Sequence, residues 1–133
     1  MITQIGHVAV PVDNAEAAAK WYVETLGLVR GSTGESRSGH HWVRLHTAMA
    51  ETPELLLVSR HSDYRGAQKE ELRNDPLRGH VTLFVADCVS ECRRLAAAGV
   101  SVSSPEVAAW GVQASVTDPD GNEFILLQPA VGT

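Results

Sequence analysis

The chain is short, mildly acidic and ordinary in composition. It has 133 residues and a formal net charge of −5 at pH 7, with 44% hydrophobic and 20% charged residues. This length suits one compact domain, and no stretch offers the roughly 18 apolar residues that a membrane span needs. The negative charge and the scattered Lys and Arg residues argue against a nucleic-acid partner. We therefore expect a soluble globular protein that binds neither nucleic acid nor membrane.

The first residues and the two cysteines bear on location. The start, Met1-Ile2-Thr3-Gln4, lacks the basic and apolar segments of a secretory signal. Cys88 and Cys92 lie one helical turn apart, with no nearby Cys or His to complete a zinc pattern. We expect reduced structural thiols and a cytoplasmic protein.

The chain begins with a predicted strand and helix. Residues 6–12 open with Gly-His and alternate as a half-buried strand does. A helix is predicted over residues 15–26, with Asp13 and Glu16 spaced as a capping box and Gly27 placed to end it. Three extended segments follow, at residues 28–30, 41–46 and 54–58.

The second half of the chain repeats this order. Residues 79–85 form another alternating strand that opens with Gly-His, and a helix is predicted over residues 89–98 between Asp87 as cap and Gly99 as stop. The extended segments are residues 100–102, 112–117 and 123–127, and the last two are joined by Asp118-Pro119-Asp120-Gly121-Asn122, which suits a tight turn.

The repeat predicts the fold class. We expect an α+β fold in which two tandem βαβββ modules form a curved mixed sheet around a cavity, with the helices on the outer face. The predicted single domain covers residues 1–133, with module 1 at 1–59, a linker at 60–78 and module 2 at 79–133. The linker is polar and charged, which is typical of a surface segment or a lid over a site.

Strand alternation predicts which side chains line the cavity. One parity of each strand is apolar and should face the helix, whereas the other parity is mixed. A concave apolar wall with a few polar groups is typical of a small-molecule site. The predicted ligand-binding residues are His7, Trp42, Arg44, Glu54, His80, Phe84, Trp110, Gln113 and Glu123.

Two features of the sequence are the Gly-His strand in each module and the hairpin at residues 118–122. In these features the chain resembles the vicinal oxygen chelate superfamily of glyoxalases, extradiol dioxygenases and bleomycin-resistance proteins. In its metal-using members, the opening and closing strands of each module present ligands to a divalent metal. The resemblance implies that His7 and His80 occupy the opening-strand positions. It also implies a ligand groove beside Trp110-Gly111 and a homodimer.

The closing strands depart from the superfamily's metal-binding arrangement. The usual carboxylate stands four residues after the glycine of the last hairpin, which is Ile125 here, and a gap-free comparison gives Leu56 in module 1. Glu123 and Glu54 each lie two residues earlier, about 6.6 Å along a strand, and a metal bond of about 2 Å cannot absorb that shift. A two-residue gap in the preceding loop would restore Glu54 as a ligand.

Several residues keep a structural alternative at this point. His7 and His80 could bind a metal, contact a ligand, move a proton or only form hydrogen bonds. Arg44 could contact a ligand or pair with Glu54 on the neighbouring strand. Trp21 and Tyr22 on the first helix are expected to pack in a core or an interface. His40, His41 and His61 show no spacing typical of metal ligands.

Three functions are compatible with the sequence, and they leave open whether the protein is an enzyme. The favoured one is a metal-independent protein without a cofactor that holds an aromatic or peptide-like small molecule, as in drug binding or sequestration. The second is a lyase, isomerase or ring-cleaving dioxygenase that binds Fe, Mn, Ni or Zn through His7 and His80 with Glu54 or Glu123. The third is a metal-free isomerase or epimerase that moves a proton with a histidine or Glu54.

Overall fold

A computed structural model describes residues 1, 3–36, 39–59 and 81–131 of the chain. The chain divides into two compact units, Met1–Lys69 and Glu70–Thr133. The predicted linker at 60–78, together with His61, Gly79 and His80, lies outside the described residues.

The first unit is a four-stranded sheet with one helix against it. The sheet order is β1-β4-β3-β2, in which β1 and β4 run parallel and the other pairs are antiparallel. A bulge interrupts the β2–β3 pairing between Arg30 and Thr33. The elements are β1 (His7–Val12), α1 (Ala15–Leu26), β2 (Val29–Glu35), β3 (His41–His46) and β4 (Glu54–Ser59).

The second unit has the same order of elements and one more strand. Its sheet order is β5-β9-β8-β6, with β5 and β9 parallel, and the additional strand β7 pairs with β8. The sequence did not predict β7; the α+β fold of two βαβββ modules is confirmed. The elements are β5 (Val81–Phe84), α2 (Cys88–Ala97), β6 (Ser101–Val102), β7 (Glu106–Ala108), β8 (Gly111–Thr117) and β9 (Glu123–Pro129).

The parallel strand pairs of the two units have the same register. Val8 stands opposite Leu55 between β1 and β4, and the repeat-equivalent Val81 stands opposite Phe124 between β5 and β9. The two halves can therefore be aligned residue by residue without a gap at their closing strands.

The predicted apolar parity forms the buried side of each sheet. In the first unit, the helix residues Ala15, Ala18, Ala19 and Tyr22 are buried, and α1 contacts β3 and β4. Val8 departs from this trend, since it is 38% exposed. The buried strand residues are Val10, Val12, Val43, Leu45, Leu55 and Leu57 in the first unit, and Ala114, Val116, Phe124 and Leu126 in the second.

The helix ends follow the predicted glycines and one of the two predicted caps. Gly27 ends α1 in the left-handed conformation, with φ 71°, and Asp87 caps α2 by accepting a hydrogen bond from the Ser90 N–H. The capping box at Asp13 and Glu16 was wrong. The helix begins at Ala15, as predicted, and Asn14, the residue directly before it, is the cap and accepts from the Ala17 N–H.

The first residue of each helix donates a further hydrogen bond to the closing strand of its own unit. The Ala15 N–H donates to Ser59 Oγ at 2.8 Å, and the Cys88 N–H donates to Gln128 Oε1 at 3.0 Å. These N–H groups have no acceptor inside their helices. Ser59 and Gln128 are the sixth residues of β4 and β9, so the two units provide this acceptor from equivalent positions.

The two cysteines are structural thiols. Cys88 and Cys92 are free and buried on α2, with their sulfur atoms 4.0 Å apart. Burial, with the Cys92 thiol beside it, raises the pKa of Cys88 to about 11. In the part of the chain that the structure describes, no helix is long and apolar enough to cross a lipid bilayer.

Glu16 joins α1 to two strands of the first sheet. Its carboxylate accepts two hydrogen bonds from the Arg30 guanidinium, at 2.6 and 2.7 Å, and one from His41 Nε2 at 2.8 Å. Hydrogen bonds from Arg30, and then from His41, lower the pKa of Glu16 from 4.5 to about 2. Glu16 is thus a link between helix and sheet, and His41 has a structural partner.

We expect Glu16→Gln to lower the unfolding midpoint in urea at neutral pH. Because the folded-state pKa of Glu16 lies below its ordinary value, the stabilisation is complete above about pH 4.5 and disappears as the pH falls towards about 2. The two proteins should therefore converge in acid. Glu24→Gln removes the same charge from the same helix, and Glu24 has no ion pair in the described residues, so it serves as the control. A constant difference from pH 7 to pH 2 would contradict the assignment.

Candidate functional site

The side of the first sheet away from α1 carries the first group of predicted site residues. Strand register arranges them in three rows across the sheet: Pro11, Val58, Trp42 and Gly34 form one, Ala9, Leu56 and Arg44 the next, and His7 and Glu54 the third. We call this surface the first face. Most of its side chains are apolar. Arg44 lies in the second row, and His7 and Glu54 form the third.

Trp42 and Arg44 form one stacked pair on the first face. The Arg44 Cζ atom lies 5.1 Å from the centroid of the Trp42 ring, which is cation–π geometry. The Trp42 ring covers Gly34, where a Cβ atom would come within 2.6 Å of Trp42 Cζ2. The glycine in β2 therefore makes room for the indole to lie against the sheet.

Glu54 does not neutralise Arg44. No ion pair joins these two described residues, although they lie on neighbouring strands. The Glu54 side chain instead extends across β3 towards β2. Its Oε2 atom lies 3.4 Å from the position that a Cβ atom of Gly31 in β2 would occupy. Of the two alternatives for Arg44, pairing with Glu54 is therefore excluded in this conformation.

The second sheet presents a face with exposed aromatic side chains. Phe84, Leu127 and Gln113 lie in one row, Thr82, Ile125 and Ser115 in the next, and Glu123 and Thr117 in the third. We call this surface, together with Trp110, the second face. Phe84 is 76% exposed and Trp110 is 56% exposed, although both are large and apolar.

Trp110 is held in place in spite of its exposure. Its indole Nε1–H donates a 2.8 Å hydrogen bond to Gln113 Oε1, and its backbone carbonyl accepts from the Ala130 N–H at 2.9 Å. Gly111 follows with φ 141°, and a Cβ there would overlap the Gln128 carbonyl oxygen. Only glycine fits this close approach of β8 and β9, so the Trp-Gly pair fixes the indole at the sheet edge.

The hairpin between β8 and β9 is a structural turn. Asp118 and Asn122 are both buried, and Asp118 Oδ1 accepts from the backbone N–H groups of Asp120 and Asn122, at 2.9 and 2.7 Å. The Asn122 side-chain amide donates to Asp118 Oδ2 at 2.9 Å. This polar network holds the turn together and so fixes the register of β9.

The register settles which closing-strand residues are equivalent. Ala9 stands opposite Leu56 and Thr82 stands opposite Ile125, so Leu56 and Ile125 occupy matching places. Both are apolar. Glu54 and Glu123 begin β4 and β9 and match each other as well.

Metal ligation by His7 with His80 stays a prediction, because His80 lies outside the described residues. Within residues 1, 3–36, 39–59 and 81–131, no three His, Cys, Asp or Glu residues are close enough together to hold a metal ion. His7 is exposed, and Glu54, its neighbour across the β1–β4 pair, leans away from it.

The family model of the glyoxalase/bleomycin resistance protein/dioxygenase superfamily matches residues 4–126 of the chain. The chain belongs to this superfamily. No curated protein shows significant sequence similarity to it.

Three solved structures share the fold of this superfamily member over almost its whole length. TnmS3, an antibiotic binding protein from Streptomyces sp. CB03234, is 32% identical, and the match covers 97% of this chain and 98% of that one with a TM-score of 0.77. A glyoxalase/bleomycin resistance protein from the same Streptomyces is also 32% identical, with 94% and 100% covered and a TM-score of 0.70. A domain of the same superfamily from Frankia sp. EAN1pec is 15% identical, with 98% and 100% covered and a TM-score of 0.73, and shows the fold alone.

Sequence reasoning missed the residues that position the predicted site residues. Gly31 and Gly34 lie inside β2. A glycine inside a strand commonly marks the close approach of another group, so these two glycines could have indicated the contacts with Glu54 and Trp42. The Trp110 hydrogen bond to Gln113 joins two residues that were both predicted, but for separate reasons. The Glu16 cluster depends on tertiary contacts that no local spacing shows.

We expect Gly111→Ala to destabilise this superfamily member by roughly 1–3 kcal/mol or more, because a methyl group would be forced onto the Gln128 carbonyl at a strained φ. Thermal unfolding measures the loss, and a shifted Trp110 emission would report the displaced indole. Gly6→Ala is the control, since nothing lies within 4 Å of a Cβ there, and it should change stability by less than about 0.5 kcal/mol. Equal melting temperatures for both variants would contradict the proposed constraint.

Proposed function

We propose that the protein binds a planar aromatic or peptide-like small molecule without a metal ion, as a drug-binding or sequestering protein does. The observation that carries this proposal is the fixed, exposed indole of Trp110 near exposed Phe84 on the second face. An exposed aromatic surface on a folded protein commonly marks a binding site. A ring already held in position also loses little conformational freedom when a ligand stacks on it.

The relatives agree with this proposal. TnmS3 is described as an antibiotic binding protein, and it is 32% identical to this chain over nearly its full length. The first face adds an apolar surface at Leu56 and Val58, beside Trp42. Such surfaces favour ligands with extended ring systems.

The closing strands support metal independence. Leu56 and Ile125 stand where metal-using relatives are expected to carry a carboxylate, and the shared register leaves no two-residue gap that would move Glu54 into that place. Hydrocarbon side chains provide no ligand atoms, so a site at these positions has lost its usual acidic ligand. The homodimer and the cytoplasmic location stay predictions.

Ligand binding can be tested with tryptophan emission. In the double variant Trp21→Phe/Trp42→Phe, only Trp110 emits, and we expect saturable quenching by a planar polycyclic antibiotic such as daunorubicin. Adding Phe84→Ala should weaken binding about tenfold, the effect of losing an aromatic contact of about 1.4 kcal/mol. The converse variant, Trp42→Phe/Trp110→Phe, leaves only Trp21 beside the buried Tyr22, and its emission should change little. A non-planar aminoglycoside is the ligand control, and equal responses to both antibiotics would contradict the proposal.

Metal independence can be tested on protein purified without chelator. We expect no stoichiometric iron, manganese, nickel or zinc by inductively coupled plasma analysis, and unchanged antibiotic affinity after treatment with EDTA. Stoichiometric metal that is lost in His7→Ala would show that the protein is a metal-binding member instead. Val8→Ala, on the same strand but the other parity, controls for general effects on β1.

A further inference from the structure

We propose that Arg44 binds an acidic group of a ligand on the first face, so that the ligands preferred at this face are planar aromatic molecules that carry a carboxylate or a comparable anion. This inference rests on the proposed function and names its ligand class. It concerns the first face, whereas the observation behind the proposed function lies on the second.

Among the described residues, no acid forms an ion pair with Arg44, which lies on a largely apolar surface. Its side chain makes no hydrogen bond or ion pair with the other described residues, and its Nε atom is buried without a partner. A buried N–H without an acceptor is unfavourable, and more so when it belongs to a charged group. The terminal nitrogens of the guanidinium are not buried in this way, so an anion brought by a ligand could accept hydrogen bonds from them and compensate the charge.

The guanidinium is already restrained on the sheet. Its Cζ atom lies 5.1 Å from the centroid of the Trp42 ring, and Trp42 in turn lies against Gly34. An arginine fixed in this way can donate two parallel hydrogen bonds to a carboxylate. The aromatic part of the ligand would then rest on the neighbouring Leu56 and Val58.

Glu54 is the neighbouring acid on the first face, and it makes no ion pair with Arg44. Its Oε2 atom reaches across β3 to the place beside Gly31, which also adjoins Arg44 Cβ. The whole chain has a net charge of −5, so a preference for anions would have to arise locally. Arg44 provides a permanent positive charge on the first face.

The internal repeat shows that the fold itself does not need an arginine at this place. Trp42 and Arg44 stand opposite Val58 and Leu56, whereas the equivalent Gln113 and Ser115 stand opposite Leu127 and Ile125. A serine therefore occupies the position of Arg44 in the second unit. The arginine is a feature of the first face rather than a requirement of the sheet.

The test compares two ligands that differ only in charge. Anthracene-2-carboxylate and anthracene-2-carboxamide are titrated by calorimetry against the full chain and its variants. We expect the carboxylate to bind about tenfold or more tightly than the amide, and Arg44→Gln to remove this difference while changing amide affinity by less than about twofold. Arg44→Lys should keep only part of the preference, because an ammonium group lacks the planar fork. Arg94→Gln removes the same charge from an exposed ion pair on α2 and should have no effect.

Thermal unfolding of the unliganded variants provides a second measurement. In a Trp42→Leu background, where the contact between Arg44 and the indole is already lost, Arg44→Gln should unfold at the same temperature as Trp42→Leu alone or at a higher one. A clear decrease would show that Arg44 has a structural partner, and would overturn the inference.

The binding outcomes separate this inference from the proposed function. Equal affinity for the two probes, or an equal loss of both in Arg44→Gln, would overturn the anion site and leave aromatic binding intact. If neither probe binds while daunorubicin does, the anion site fails and the proposed function stands. If none of the three binds, both fail.

Discussion

The parallel pairing of the first and last strands in each unit is the constraint on which the other features depend. It has the same register in both units, with Val8 opposite Leu55 and Val81 opposite Phe124. Because side chains alternate along a strand, this register decides which residues face the helix and which face outward. It also makes Leu56 equivalent to Ile125. Both halves therefore have an apolar residue, and not a carboxylate, at this equivalent position.

The fold could be predicted largely from the sequence because its signals are local and occur twice. The alternation of β1, the glycine at the end of α1 and the turn at Asp118 to Asn122 each act over a few residues, and their repetition supported each assignment. β7 was missed because three residues paired at a sheet edge have too little alternation to be recognised. The cap of α1 was placed at Asp13 because Asp13 and Asn14 are both good capping residues and only the backbone chooses between them.

The site was predictable in its composition but not in its contacts. Parity alone placed Trp42, Arg44 and Glu54 on one side of the first sheet, and the structure agrees. The direction in which a long side chain leans is not a property of parity, so the separation of Arg44 from Glu54 could not be foreseen. The two faces also differ chemically despite their common origin, since the row of Trp42 and Gly34 in the first corresponds to a row of Gln113, Leu127 and Phe84 in the second.

The hydrogen bonds that the helices donate to Ser59 and Gln128 have a consequence for how each unit folds. They join residues 44 and 40 positions apart in the chain, from the first residue of the helix to the closing strand. The first N–H of the helix cannot find this acceptor until the closing strand of the unit has paired with the opening strand. Helix docking and sheet closure are therefore coupled events, and such non-local closure slows folding relative to a helical protein of the same size. Each unit should accordingly assemble in one cooperative step rather than grow outward from its helix.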